Sequence, residues 1–97
     1  MEKDKEIKIL DLPLKKEWYE MIESGEKKEE YRETKEYWRK RLTGKHYTHV
    51  RFRYGYTKRT MLFELDSVTV GQGKPEWGAP KEKVYILHLG KQIGEED

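Results

Sequence analysis

The residues whose types and spacing best suit them for chemistry lie in the stretch Lys-Lys-Glu-Glu-Tyr-Arg, Lys27 to Arg32. On an extended chain, side chains alternate between faces, so Lys28, Glu30 and Arg32 share one face while Glu29, Tyr31 and Glu33 share the other. Neighbours on one face stand roughly 7 Å apart. Such a row forms either an ion-paired ladder in water, contributing at most ~1 kcal/mol, or the wall of a cleft that holds polar groups of a ligand. A lysine beside a carboxylate can also act as a general acid–base pair. Lys27 falls off the row by strict alternation and joins it only if the chain is still turning after Gly25.

A second concentration of chemistry lies downstream. Between Thr34 and Thr60 there are nine basic residues, Lys35, Arg39, Lys40, Arg41, Lys45, Arg51, Arg53, Lys58 and Arg59, against the single acid Glu36. The same window holds six of the chain's twelve aromatics. Basic groups interleaved with aromatics are the footprint of a nucleic-acid binder. The alternative is that the fold brings acidic neighbours to this segment and neutralises it. Arg51 and Arg53, with His49, form a basic row on one strand face, and Arg39, Lys40 and Arg41 extend it from a helix. Each phosphate they neutralise steepens the salt dependence of binding. Tyr54, Tyr56 and Trp77 are candidates for stacking on bases, whereas Trp18 and Trp38 are assigned to core or helix packing.

These side chains need elements to hold them. "IKILDL" predicts a first strand, with Ile7 and Ile9 on one face and Leu10 and Leu12 on the other. Pro13 suits the first turn of a helix, and Leu14, Trp18, Met21 and Ile22 follow at helical spacing. Gly25 closes that helix. A short strand over 29–33 follows, then a second helix, "KEYWRKRL", with Thr34 as N-cap and an end near Gly44. "HYTHVRFRY" alternates cleanly, with Val50, Phe52 and Tyr54 inward. "GYTKR" is a hairpin connection. "TMLFELDSVTVG" is a long strand whose inward set, Met61, Phe63 and Leu65, changes parity near Asp66 and Ser67, which predicts a bulge. A loop rich in glycine and proline, "GQGKPEWGAPKEK", leads to "VYILHLG", apolar on both faces and therefore a covered strand. "KQIGEED" is expected as a frayed acidic tail.

Composition bounds the rest. Ninety-seven residues suit one domain, here 1–97, with a core over about 7–90 and the tail at 91–97. The chain is 41% charged, yet its net charge is only +2, so a folded domain is expected rather than disorder. There is no cysteine, which excludes disulfides and thiolate metal sites. His46, His49 and His88 lack metal-ligand spacing with a carboxylate, and no phosphate-cradling glycine loop or Ser/His/Asp arrangement stands out. No metal and no cofactor are expected. No apolar stretch approaches a membrane span, and "MEKDKEIK" lacks the apolar core of a signal peptide. A cytoplasmic monomer is the expectation.

The segment "LPLKKEWYEMIESGEKKEEYRE" resembles the signature of ASCH domains, a branch of the PUA-like superfamily. The pattern is an apolar strand, a helix, and then Gly-x-Lys-x-x-Glu-x-Arg, here Gly25, Lys27, Glu30 and Arg32. The later "YGY", "GKPEWGAP" and "VYILHLG" resemble a subgroup with a short C-terminal half. The resemblance implies an α+β fold, a small mixed β-barrel of five or six strands with two short helices, and a cleft beside the first helix. It also implies binding of RNA or a nucleotide, with Lys27, Glu30 and Arg32 facing the ligand. One branch of the family deacetylates acetylcytidine with a lysine, a threonine nucleophile and a glutamate. Lys27 matches the lysine, Glu30 stands where that branch has threonine, and Glu76 is the nearest counterpart of its glutamate.

The expectation is thus an RNA- or nucleotide-binding domain rather than an enzyme. Its site comprises Lys27, Glu30 and Arg32, with Arg39, Arg41, Arg51, Arg53, Tyr54, Tyr56 and Trp77 around them. The alternatives are a small amidohydrolase acting on a modified nucleoside through Lys27 and Glu30, and a protein-interaction module that recruits an acidic partner.

Overall fold

The computed structural model describes residues 6–96. The first residues of "MEKDKEIK" and Asp97 lie outside that range. Five strands and two helices follow one another as β1 (Ile9–Leu14), α1 (Lys16–Glu23), β2 (Glu29–Glu33), α2 (Glu36–Leu42), β3 (His49–Tyr54), β4 (Thr60–Gly71) and β5 (Val84–Glu96). The strands form one mixed sheet in the order β1-β3-β4-β5-β2. The β1–β3 pair is parallel and the other pairs are antiparallel. The sheet curls into a half-barrel, giving a small α+β fold.

The two edge strands, β1 and β2, are consecutive in the chain, and α1 runs between them. Its Tyr19 and Ile22 are buried with Leu10, Leu12 and Leu14 of β1, Val50 and Phe52 of β3, Met61, Phe63 and Leu65 of β4, and Leu87 of β5. The helix therefore covers the concave face of the sheet. A second, smaller cluster forms on the other side of β5. There Val84 and Ile86 pack with Tyr31, and the loop residues Trp77 and Ala79 lie against them. This loop explains why Val84 to Leu87 are buried in succession: β5 has core on both of its faces, as its unbroken apolar run predicts.

Several boundaries differ from the sequence expectation. β1 begins at Ile9, and Ile7 is exposed. Pro13 and Leu14 belong to this strand, and the helix starts at Lys16 after an extended Lys15. An edge strand tolerates proline because one side of its backbone needs no partner. The buried face of α1 is consequently Tyr19 and Ile22, with Trp18 and Met21 only half-buried. Lys35, not Thr34, occupies the N-cap of α2, and no side chain caps it.

The acidic tail is also a strand. β5 continues to Glu96 and pairs Gln92 with Phe63, Gly94 with Leu62, Glu95 with Met61 and Glu96 with Thr60. The first half of β4 leaves one edge open beyond β3, and backbone hydrogen bonding fills it regardless of side-chain polarity. The expected bulge is present: the β4–β5 register slips between Leu62 and Ser67. Among the described residues, no helix is long and apolar enough to cross a membrane.

Candidate functional site

Because β1 and β2 are both edges, a seam remains between them. A cleft of about 260 Å³ occupies it. Pro13 and Leu14 of β1 form one lip and Glu30, Tyr31 and Arg32 of β2 the other, while Lys15, Trp18, Lys27, Trp77 and Gly78 complete the lining. Lys27 is the most buried charge in it, with 2% of its surface exposed; Glu30 has 6%.

Lys27 reaches the cleft because β2 begins only at Glu29. After Gly25, at φ +89°, the chain is still turning, and the Lys27 amide donates to the Met21 carbonyl oxygen at 3.0 Å. That is the condition on which its membership of the row depended. Lys28, the strict row member, is exposed instead. Lys27 Nζ lies 3.1 Å from Glu30 Oε1 and donates to the Trp77 carbonyl oxygen at 2.8 Å. It also sits 4.7 Å from the Tyr31 ring centroid and 5.4 Å from that of Trp18. Glu30 Oε2 accepts from Arg32 Nη1, which donates to the Tyr31 carbonyl oxygen as well. One carboxylate thus bridges two cations within an aromatic enclosure.

Burial pushes the Lys27 amine below its ordinary value, and Glu30 partly offsets this by favouring the charged form. Between the folded pKa and the unfolded value of 10.5, the unfolded chain binds more protons, so this group makes stability rise with pH across that window. Tyr31 runs the other way, because burial raises its hydroxyl pKa. Comparison of Lys27→Met with the parent by urea denaturation as pH rises toward 10.5 isolates the lysine: the parent is expected to gain stability relative to the variant.

No family model, curated protein or solved structure matches this chain. The reading of the cleft therefore rests on its own chemistry.

The loop that carries Trp77 is held in place by Tyr31. Its hydroxyl donates to Glu29 Oε1 at 2.7 Å and accepts from the Lys74 amide at 3.0 Å. Gly73 packs directly on this ring: a Cβ there would lie 2.5 Å from Tyr31 Cε1 and 2.7 Å from the Ala79 Cβ. The ring, pinned by two hydrogen bonds, cannot swing aside. Gly73→Ala is expected to cost about 1–3 kcal/mol, read as a fall in thermal midpoint, whereas Gly94→Ala, with open space around its Cβ position, should change little. Gly78, at φ +96°, lies over the Trp18 indole.

The predicted site residues divide into groups. Lys27, Glu30, Arg32 and Trp77 meet in the cleft. Arg53 is registered opposite Pro13 but does not line the cleft, and it donates to the Thr57 carbonyl oxygen. Arg51 is drawn into a pair with Asp11, whose carboxylate raises its pKa. Arg39 pairs with Glu36 on the exposed face of α2. Tyr54 packs edge-to-face on Tyr19 under the Arg59 guanidinium. Tyr56 stands at the hairpin tip, 95% exposed. Glu76 lies in the exposed 3₁₀ turn Pro75–Trp77 and does not line the cleft.

Much of the basic segment is therefore neutralised. Lys35 pairs with Glu33, Arg39 and Lys40 with Glu36, Arg51 with Asp11 and Arg59 with Glu23. Sequence reasoning missed Trp18 and Tyr31 as cleft walls. Both become walls only because β1 and β2 end as edges with a seam between them.

Proposed function

We propose that this chain is an ASCH-type domain of the PUA-like superfamily, a monomeric cytoplasmic module that binds RNA or a nucleotide in the cleft between β1 and β2. The observation that supports this most is the meeting of Lys27 and Glu30, at the spacing of the motif, inside an enclosure of Trp18, Tyr31 and Trp77. Aromatic rings offer stacking surfaces to a base, and the fixed carboxylate and cations offer hydrogen-bonding groups to its edge. A volume of about 260 Å³ suits one base and not a duplex.

The test is a fluorescence titration with short single-stranded RNA over a salt series. Saturable binding that weakens as salt rises is expected. No saturable binding even at the lowest salt would remove the RNA reading.

One observation favours a second reading, a small amidohydrolase acting on a modified nucleoside. Burial shifts the Lys27 amine toward its neutral form beside Glu30, which suits a general base. Against it, no Ser, Thr, Cys or His is among the residues lining the cleft, and the one hydroxyl there, that of Tyr31, is engaged by Glu29 and the Lys74 amide. Incubation with N4-acetylcytidine decides the matter: turnover that disappears in Lys27→Ala would establish the enzyme, and no turnover is expected.

A further inference from the structure

Arg32, on the cleft wall, also meets a residue of α2. The Arg32 guanidinium carbon lies 5.1 Å from the centroid of Trp38, and that of Arg41 lies 5.4 Å from the same centroid. Arg41 is also 5.8 Å from the Tyr37 ring and donates to its hydroxyl oxygen at 3.2 Å. One indole thus carries two guanidinium groups, one from the cleft wall and one from the helix. Stacking occupies the flat face of a guanidinium and leaves its in-plane N–H groups for planar, forked partners.

Charge balance separates this pair from its neighbours. Arg39, Lys40, Arg51 and Arg59 each lie against a carboxylate. Arg41 has no carboxylate partner among the described residues. Arg32 meets both Glu30 and the Tyr31 carbonyl oxygen through the single nitrogen Nη1, and the other oxygen of Glu30 is committed to Lys27. Lys27 and Arg32 therefore share the Glu30 carboxylate, and Arg41 adds a charge beside Trp38 that is unpaired among the described residues. The Trp38 ring thus has two guanidinium groups over it, one of which also lines the base-sized cleft.

We propose that Arg32 and Arg41, carried on Trp38, form a phosphate-binding clamp at the mouth of the cleft, so that the site selects a nucleotide, or a single strand bearing a phosphate next to the bound base, over the free nucleoside. The inference rests on the reading of the cleft as a base-binding site and deepens it. It also gives Trp38 a task beyond packing: the indole carries two cations whose charge a bound phosphate would balance. Phosphate oxygens accept the charge-assisted, forked hydrogen bonds that arginine offers.

Calorimetric titration of the intact chain with the four ribonucleosides, and with their 3′- and 5′-monophosphates, tests this. At least one monophosphate is expected to bind about tenfold tighter than its nucleoside. Arg41→Gln is expected to bring that ratio close to one. Arg41→Lys, which keeps the charge and loses the fork, should recover only part of it. With a single-stranded hexanucleotide, Arg41→Gln should also lower the slope of log affinity against log salt by about 0.7, the loss of one phosphate contact. Equal affinity for nucleoside and monophosphate in the parent overturns the clamp and leaves the base-binding cleft standing. So does a ratio unmoved by Arg41→Gln in a variant whose circular dichroism shows it folded. Silence from nucleosides, monophosphates and hexanucleotide alike, at low salt, overturns the cleft reading and the clamp with it.

Discussion

Glu30→Ala is expected to remove about 3–5 kcal/mol of folding stability, the cost of leaving a buried charge without its partner. Lys27, 2% exposed, would keep only the Trp77 carbonyl and two ring faces. Arg32 would lose its carboxylate but remain over Trp38 and nearer to water. The loss is large against the roughly 5–15 kcal/mol that holds a small domain together. Lys27→Met/Glu30→Leu should cost far less, because it replaces both buried charges with apolar groups of similar length and leaves only the more exposed Arg32 without its carboxylate. Urea denaturation of the two variants and the parent makes the comparison. A Glu30→Ala midpoint near the parent's would mean that the pair is solvated, and with that the enclosure would lose its meaning. A near-neutral double variant, by contrast, would show that this ion pair is kept for something other than stability, and ligand binding is the use that the cleft offers.

Legibility in the sequence followed the range of the forces concerned. β2 is a strand over Glu29–Glu33, where the sequence places a short strand after Gly25, and β3 buries Val50 and Phe52 as its two-residue period requires. The bulge near Asp66 and Ser67 showed as a change of parity. These features depend on neighbours along one strand. What failed depended on partners far away. Pro13 reads as a helix opener until β1 is known to be an edge. The Lys91–Glu96 segment reads as a tail until β4 is known to need a partner there. The basic run of residues 34–60 looked like an open positive face because Asp11 and Glu23, which neutralise Arg51 and Arg59, lie elsewhere in the chain. The motif residues Lys27, Glu30 and Arg32 were legible as a set, but the wall they face was not. The bond that ties Lys27 to the Trp77 carbonyl joins residues 50 positions apart, and no local pattern announces it.

That bond makes Trp77 the best single probe of the cleft. Trp77→Ala should weaken single-stranded RNA binding by about 5- to 150-fold, the 1–3 kcal/mol of one stacked base. Lys27 donates to the backbone carbonyl of residue 77, so the truncation removes the ring and spares the hydrogen bond. Part of the ring packs on Tyr31, Val84 and Ile86, so some stability is lost too, and the titration belongs well below the variant's thermal midpoint. Arg51→Ala is the matched comparison. It removes a full charge from the segment that looked most like a phosphate track, yet Asp11 already balances that charge, and binding should change by no more than about twofold, as for an exposed ion pair. Similar losses from both variants would point to diffuse attraction along the sheet surface and away from the cleft. A large loss from Trp77 alone, with Arg51 silent, would place the base against the ring and in reach of Glu30.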